Sequence, residues 1–407
     1  MSVPRRTRVA IVGGGILGCA AAWHLARAGV RDVLVLERDE LNAATTSQAA
    51  GLIGQLRTSA VKSAIVGQTL ADIATLEADG LASGFRRTGS LRLALTPERD
   101  AEIREQVSAA RRFGVDATLV GADDVRRLAP GVEPSKDYAA AWMPNDGYAE
   151  PYTLASAYAA AARRLGVVFV TGCEAVGLRI ADRRARGVTT RDGDVDAEAV
   201  VIAAGAWTSV LAARAGTTVP AFPVRHQAWV TAPVEWLTAT FPVVRVPDRL
   251  AYLRPEVGGL MLGFFETTPL GVDVATLPEF RVGATPRDPS VLAGHAPGLM
   301  EVVPGLGDAP VVGGTAGVPT YTPDGHFVVG PLPGVTGVFA ATGCCAHGIA
   351  GSGGVGRALA EALTGEAPTI DPAPMAPGRF GADTWDVAWV RVACETTYAH
   401  YYDLVRR

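Results

Sequence analysis

The first forty residues set a pattern of apolar runs broken by glycine. Positions 9–12 are apolar and meet Gly13, Gly14 and Gly15; the stretch to Arg27 is apolar on most sides; a second run at 33–36 ends on Glu37. A short apolar run bounded by glycines predicts a strand buried on both faces, and the longer segment between the runs predicts a helix packed against them. Gly13, Gly15 and Gly18 stand in G-x-G-x-x-G spacing between strand and helix, and an acid closes the second strand, so the unit predicts dinucleotide binding. Gly13 permits the tight turn, Gly15 lets the backbone approach a pyrophosphate, and Gly18 brings helix and strand close. The phosphates would meet the positive end of the helix, and Glu37 would accept a hydrogen bond from a ribose hydroxyl. Ile16, Leu17 and Arg38 complete the expected contacts.

Further along, a polar turn at 42–51 leads to an alanine-rich stretch, 59–80, with apolar residues at helical spacing. Residues 85–144 alternate short strands, one at 90–95, with a charged helix at 97–113. A helix opened by Pro151 runs to 165, and a strand follows at 167–171. Residues 196–207 form a buried strand ending in Ala204, Gly205 and Trp207, where backbone can lie against a ligand. From 216 to 309 the chain reads mostly as strands interrupted by prolines, including 260–265. The glycine-rich stretch 338–356 passes from strand through loop into a helix ending near 363, a second place for backbone N–H groups to face a cofactor. The tail is proline-rich, then helical, and its cluster Tyr398, His400, Tyr401 and Tyr402 reads as a helix packing back on the body.

Composition narrows the class. The chain has 407 residues, 48% of them hydrophobic, enough for a large core divided into two interleaved domains. Lys and Arg total 37 against 41 Asp and Glu, a net charge of −4, so no basic field points to nucleic acid or an anionic membrane. The N-terminal apolar stretch is broken by glycines and reads as strand and helix, not as a signal or membrane span; a cytoplasmic location is the expectation. Five scattered cysteines with no C-x-x-C pair suggest neither a disulfide framework nor a metal site.

These glycine-rich pieces, with Asp324-Gly-His-Phe-Val-Val-Gly330 and Ala203-Ala-Gly-Ala-Trp207, resemble FAD-dependent amine oxidoreductases of the D-amino-acid oxidase superfamily. The closer resemblance is to sarcosine oxidase and to sarcosine and dimethylglycine dehydrogenase, over residues 9 to about 402. Segment 47–57 looks like the family's turn under the flavin, leading to a substrate-side arginine, Arg57. The resemblance implies an α/β and α+β fold: a Rossmann-type, glutathione-reductase-like FAD-binding domain (1–84, 145–215 and 310–370) interrupted by a substrate domain with a mainly antiparallel β-sheet. The latter takes 85–144, 216–309 and the C-terminal helical tail 371–407. It also implies flavin contacts at Thr45, Thr46, Ser47, Gln48, Ala50, Gly51 and Leu52, at Ala175 and Val176, and at Ala204, Gly205 and Trp207. A last set is Gly343, His347, Gly348, Ile349 and Ala350. Arg57, His347, His226, Tyr252 and Met261 are the catalytic candidates, with Phe265 as a further cavity wall.

Such chemistry needs a neutral amine whose carbon is held about 3–3.5 Å from the flavin, with water kept out, while the flavin carries the electrons. Departures from the family refine the expectation. Where dimethylglycine dehydrogenase has a flavin-linked histidine, this chain has Gln48, or Ser47 if the register slips; where monomeric sarcosine oxidase has a flavin-linked cysteine, it has Gly317. FAD is therefore expected to be non-covalent, Cys344 and Cys345 being the exception left open. Met261 takes the place of the oxidases' oxygen-activating lysine, which favours a dehydrogenase. Ile349 and Ala350 follow His347 and Gly348 where a carboxylate-binding lysine is expected, which favours a secondary or tertiary amine over a plain amino acid. The end at 407 leaves no counterpart of a folate-binding domain, so any one-carbon unit is expected to leave as formaldehyde or pass to a separate protein. The expected partners are a small-molecule amine and an acceptor protein or quinone, with an oligomer left open. The alternatives are an oxidase producing hydrogen peroxide and a flavin subunit of a hetero-oligomeric complex.

Overall fold

In the computed structural model, which describes residues 3–57, 59–277 and 279–404, strand Arg6–Val12 lies inside an eight-stranded sheet. It pairs in parallel with Val33–Leu36 on one side and Gly193–Ile202 on the other, and Val168–Val170 extends the parallel order. Gly193–Ile202 also pairs antiparallel with Arg184–Thr190 through its first residues and parallel with Val338–Thr342 through its last. Apolar clusters lie on both faces of this sheet, which is why its central strands are unbroken apolar runs.

Helices Ile16–Arg27, Ala60–Ala78, Pro151–Arg164 and Gly348–Thr364 pack together on one face. Ser59 caps the second by accepting from the Lys62 N–H, and the Glu150 carboxylate caps the third, which has proline at its start. Helix Ile16–Arg27 begins at Gly15 with no side-chain cap from its own N-cap residue.

The second eight-stranded sheet runs Val311–Gly317, His226–Thr231, Gly259–Phe264, Ala251–Glu256, Val243–Val246, Ser90–Arg92, Ala140–Met143, Thr118–Val120. It is antiparallel except between Val243–Val246 and Ser90–Arg92. The nucleotide layer, expected to resume at 310, resumes only after Gly317, because Val311–Gly317 pairs with His226–Thr231. Glycines at 313, 314 and 317 erase the alternation that would have shown which sheet the strand joins. Residues 289–300, expected among strands, form helix Pro289–Met300, started by the Asp288 cap and Pro289; Gly294, Pro297 and Gly298 hide its period. The strand expected over 196–207 spans Gly193–Ile202, and 205–207 turn into helix Thr208–Arg214. Among the described residues no helix is long and apolar enough to cross a membrane.

Candidate active site

One continuous cavity of about 460 Å³ opens between the two large sheets and reaches from Glu37 to His347. Its nucleotide end is built by the first turn. Gly13 has φ +110°, and a Cβ there would stand 2.4 Å from the Ala203 carbonyl oxygen, so only glycine fits. Gly13, Gly15, Ile16 and Leu17 line the cavity. Gly14 and Gly18 do not. The Gly14 N–H donates to Glu37 Oε2 at 2.7 Å, and Gly18 serves helix packing, since a Cβ there would meet the Gly13 carbonyl. The Glu37 carboxylate also accepts from the Asp39 N–H at 2.9 Å, so two backbone donors fix it at the cavity wall. Arg38 lies over the Trp207 ring at 4.2 Å, and both line this end with Ala175, Val176, Ala204 and Gly205.

The polar turn follows. Thr46 Oγ1 accepts from the Ile16 N–H at 3.1 Å and fixes the turn to the start of the first helix. Thr45, Thr46, Gln48, Ala50, Gly51 and Leu52 line the cavity, whereas Ser47 turns back and donates to the Ala44 carbonyl at 3.0 Å. From the C-terminal glycine stretch, Cys344, Ala346, His347, Gly348 and Ile349 line it. Gly343 and Ala350 lie outside the lining. Gly343, at φ +67°, sits against Thr322 and Val328, and Ala350 is buried in the helix-packed core. The glycines at 351, 353, 354 and 356 let this helix approach its neighbours, and none of them lines the main cavity.

The far end is aromatic and cationic. His226 Nε2 lies 2.9 Å from the Tyr252 hydroxyl and Nδ1 lies 3.1 Å from that of Tyr398; burial holds this imidazole down at about 4, so it is neutral. Phe265 stacks on Tyr401 with ring centroids 3.9 Å apart. The Tyr401 hydroxyl lies 2.7 Å from His347 Nε2, and Arg57 Nη1 donates to the same nitrogen at 2.7 Å. A guanidinium only donates, so Nε2 is unprotonated and the proton sits on Nδ1. Burial, then the Arg57 charge, holds His347 well below its ordinary value. Neutral imidazoles and phenols in a cavity of this kind suit an uncharged amine and keep no strong acid beside it.

Two expected site residues stand elsewhere. Arg57 is not on the main cavity: it lies behind His347 and opens on a hollow of about 20 Å³ shared with Lys62 and His326. Its Nη2 is buried with no hydrogen-bond partner, and burial lowers its pKa. Met261 is buried in Gly259–Phe264 but lines nothing. It pairs with Arg254, one pleat beyond the Gly263–Tyr252 pair, and the Tyr252 ring occupies the space over Gly263. Met261 is thus not among the residues that line the cavity. Arg245 and Tyr401 line the cavity without having been singled out for it. An arginine in the apolar strand Val243–Val246 is a signal the sequence did hold. Tyr401 was marked only as part of an aromatic cluster.

The residues present fit a dinucleotide: a glycine turn whose Cβ positions are taken by backbone, a helix start free of its own side-chain cap, and a carboxylate held at the strand end. The family model for FAD dependent oxidoreductases matches residues 8–362. The chain is 32% identical to mitochondrial dimethylglycine dehydrogenase of Rattus norvegicus over 386 residues, covering 92% of this chain and 45% of that protein. It is 29% identical to mitochondrial sarcosine dehydrogenase of Homo sapiens over 411 residues, 99% of this chain and 45% of that protein. The chain thus spans less than half the length of these curated relatives. Among solved structures, L-proline dehydrogenase from P. horikoshii matches with a TM-score of 0.84 at 25% identity, over 93% of this chain and 98% of that one. Fold, cavity and family match agree that this chain belongs to the DAO family of FAD-dependent oxidoreductases, with FAD as its cofactor.

Proposed function

We propose that this chain oxidises a C–N bond of a secondary or tertiary amine, an N-alkyl amino acid or a close relative. The observation that carries the reading is the cavity's far end, where neutral His226 and His347, Tyr252, Phe265 and Tyr401 converge beyond the dinucleotide turn. The names of the relatives support it: dimethylglycine, sarcosine and proline all carry a nitrogen with a second carbon substituent. In this reading the parallel-sheet half holds the cofactor and the second sheet forms the substrate domain.

FAD held along Gly13, Gly15 and Glu37 would supply the electron sink for the hydride that leaves the carbon next to nitrogen. The chain's own residues do the rest. Tyr252, Phe265 and Tyr401 exclude water and wall the amine; neutral His226 and His347 leave its nitrogen lone pair free to stabilise the positive charge that develops. The iminium so formed loses its alkyl group to water, giving the shorter amine and an aldehyde. The acceptor is a protein or quinone in preference to oxygen, supported by the dehydrogenase names of the relatives. FAD is held without a covalent bond, supported by Gln48 and Gly317 on the cavity wall.

Anaerobic mixing with N-methyl amino acids, followed at 450 nm, tests the reading: bleaching with slow recovery in air is expected. No bleaching by any secondary or tertiary amine would overturn it, and fast recovery with peroxide would make the chain an oxidase. Acid precipitation should leave the yellow colour in the supernatant; flavin in the pellet would point to Cys344, which lines the cavity.

A further inference from the structure

We infer that Arg245, not Arg57, holds the carboxylate of the substrate, so that the amine oxidised here bears an acid group; this rests on the amine-oxidation reading above. Position comes first. Arg245 lines the main cavity beside its cross-strand neighbour Tyr252, whereas Arg57 opens on the smaller hollow behind His347. A ligand in the main cavity meets Arg245 directly and reaches Arg57 only past His347 and Tyr401, both of which line that cavity.

Charge comes second. The register pairs Arg92 with Arg245 on the neighbouring strand, and both guanidinium groups reach Tyr402, Arg245 through the hydroxyl and Arg92 over the ring. The nearby carboxylate, Asp146, shares Gly54 as a neighbour with Arg245 but is engaged by the Gln55 N–H, the Gln55 side chain and the Ser90 hydroxyl. Among the described residues Arg245 makes one side-chain hydrogen bond, to the Tyr402 hydroxyl at 3.1 Å, out of five donors. Burial and the Arg245 charge itself lower the pKa of Arg92. The tyrosines around Arg245 hold its charge in place against burial, yet among the described residues no carboxylate hydrogen-bonds or ion-pairs with it; such a cation on a cavity wall is a receptor for an anion, and the planar guanidinium fork matches a carboxylate. Bound there, a carboxylate leaves the rest of the molecule against Tyr252, Phe265 and Tyr401, where the C–N bond has to lie. Arg57 is then a positioning residue, which fixes the His347 tautomer through its 2.7 Å bond.

The test uses the FAD-loaded protein and two non-reactive probes of one shape, isobutyrate and its uncharged amide, titrated against the flavin absorbance. Isobutyrate is expected to bind and the amide to bind at least tenfold more weakly. Arg245→Met should weaken isobutyrate about 30- to 100-fold and leave the amide unchanged, while Arg245→Lys, which keeps the charge but loses the fork, should fall between. Retention of the 450 nm band and of the far-ultraviolet circular dichroism shows that each variant is folded. Arg57→Met should leave isobutyrate within threefold of wild type and act on kcat. Equal binding of acid and amide, or loss of isobutyrate in Arg57→Met with none in Arg245→Met, would overturn the inference. Those outcomes leave amine oxidation standing. Failure of every amine to bleach the flavin, with isobutyrate still bound through Arg245, would sink the function and spare the anion site.

Discussion

His226 shows how a single residue ties pH to this fold. Its two ring nitrogens stand against Tyr252 and Tyr398, one on the second sheet and one on the C-terminal helix, and burial keeps it at about 4. In the unfolded chain the same imidazole titrates near 6.5. The folded pKa is the lower one, so the stabilising effect is complete above the unfolded value and is lost as pH falls from 6.5 to 4, where the unfolded chain takes up a proton that the folded one refuses. The loss from this residue is about 3 kcal/mol by pH 4. His347 is depressed for the same reason and adds in the same direction. Urea unfolding between pH 7 and 4, with FAD in excess, should therefore show stability falling through that window. His226→Asn should flatten the fall while costing about 1 kcal/mol at pH 7 through its lost hydrogen bonds. An unchanged slope in the variant would remove His226 from the account.

At the scale of elements, the helix Gly348–Thr364 separates what the sequence disclosed from what it hid. Its strand, loop and helical course were legible, since glycines and small residues behind an apolar strand allow little else. Its purpose was half legible: Gly348 and Ile349 face the cavity, but a Cβ at Gly354 would stand 2.5 Å from the Ile65 Cα, and one at Gly356 2.9 Å from the Ala20 carbonyl. The same residue type serves a ligand or a neighbouring helix, and only the three-dimensional partner decides which. Gly354→Ala should therefore destabilise by about 1–3 kcal/mol, because backbone cannot yield to the new methyl and overpacking outweighs the gain in helix propensity. Gly67, inside helix Ala60–Ala78, has nothing within 4 Å of its Cβ position, so Gly67→Ala should stabilise by about 0.5–1 kcal/mol. Thermal melts of the two variants should move in opposite directions, and a shift of the same sign would refute the packing argument. The N-terminal βαβ unit was readable whole because strand, turn, helix and acid are consecutive. Helix Pro289–Met300 was not, since Gly294, Pro297 and Gly298 break its period.

Across the whole molecule the cavity wall is assembled from segments far apart in the chain, and this is where reading residues in order fails. Tyr401 from the tail, Arg245 from one strand and His347 from the glycine stretch have no common local pattern; they meet because the tail is drawn over the second sheet. Arg99 donates to the Tyr402 carbonyl at 2.6 Å, Arg245 to its hydroxyl, and Phe265 stacks on Tyr401. The lining comes from both large sheets, so a ligand that fills the cavity joins the two halves. FAD bound only to the folded chain stabilises by about 2.7 kcal/mol at a free concentration 100 times its Kd. For a chain of 407 residues that corresponds to a rise in Tm of roughly 3 °C. Calorimetry of the protein stripped of flavin should show a lower Tm and a broader transition, the two sheets unfolding with less coupling, and added FAD should restore both. A Tm raised by FAD with no change in width would mean that the halves are coupled by the protein alone, through the three-stranded sheet of Leu52–Ile53, Gly147–Ala149 and Phe85–Arg86 and the Phe222–Pro223 pairing with Thr320–Tyr321.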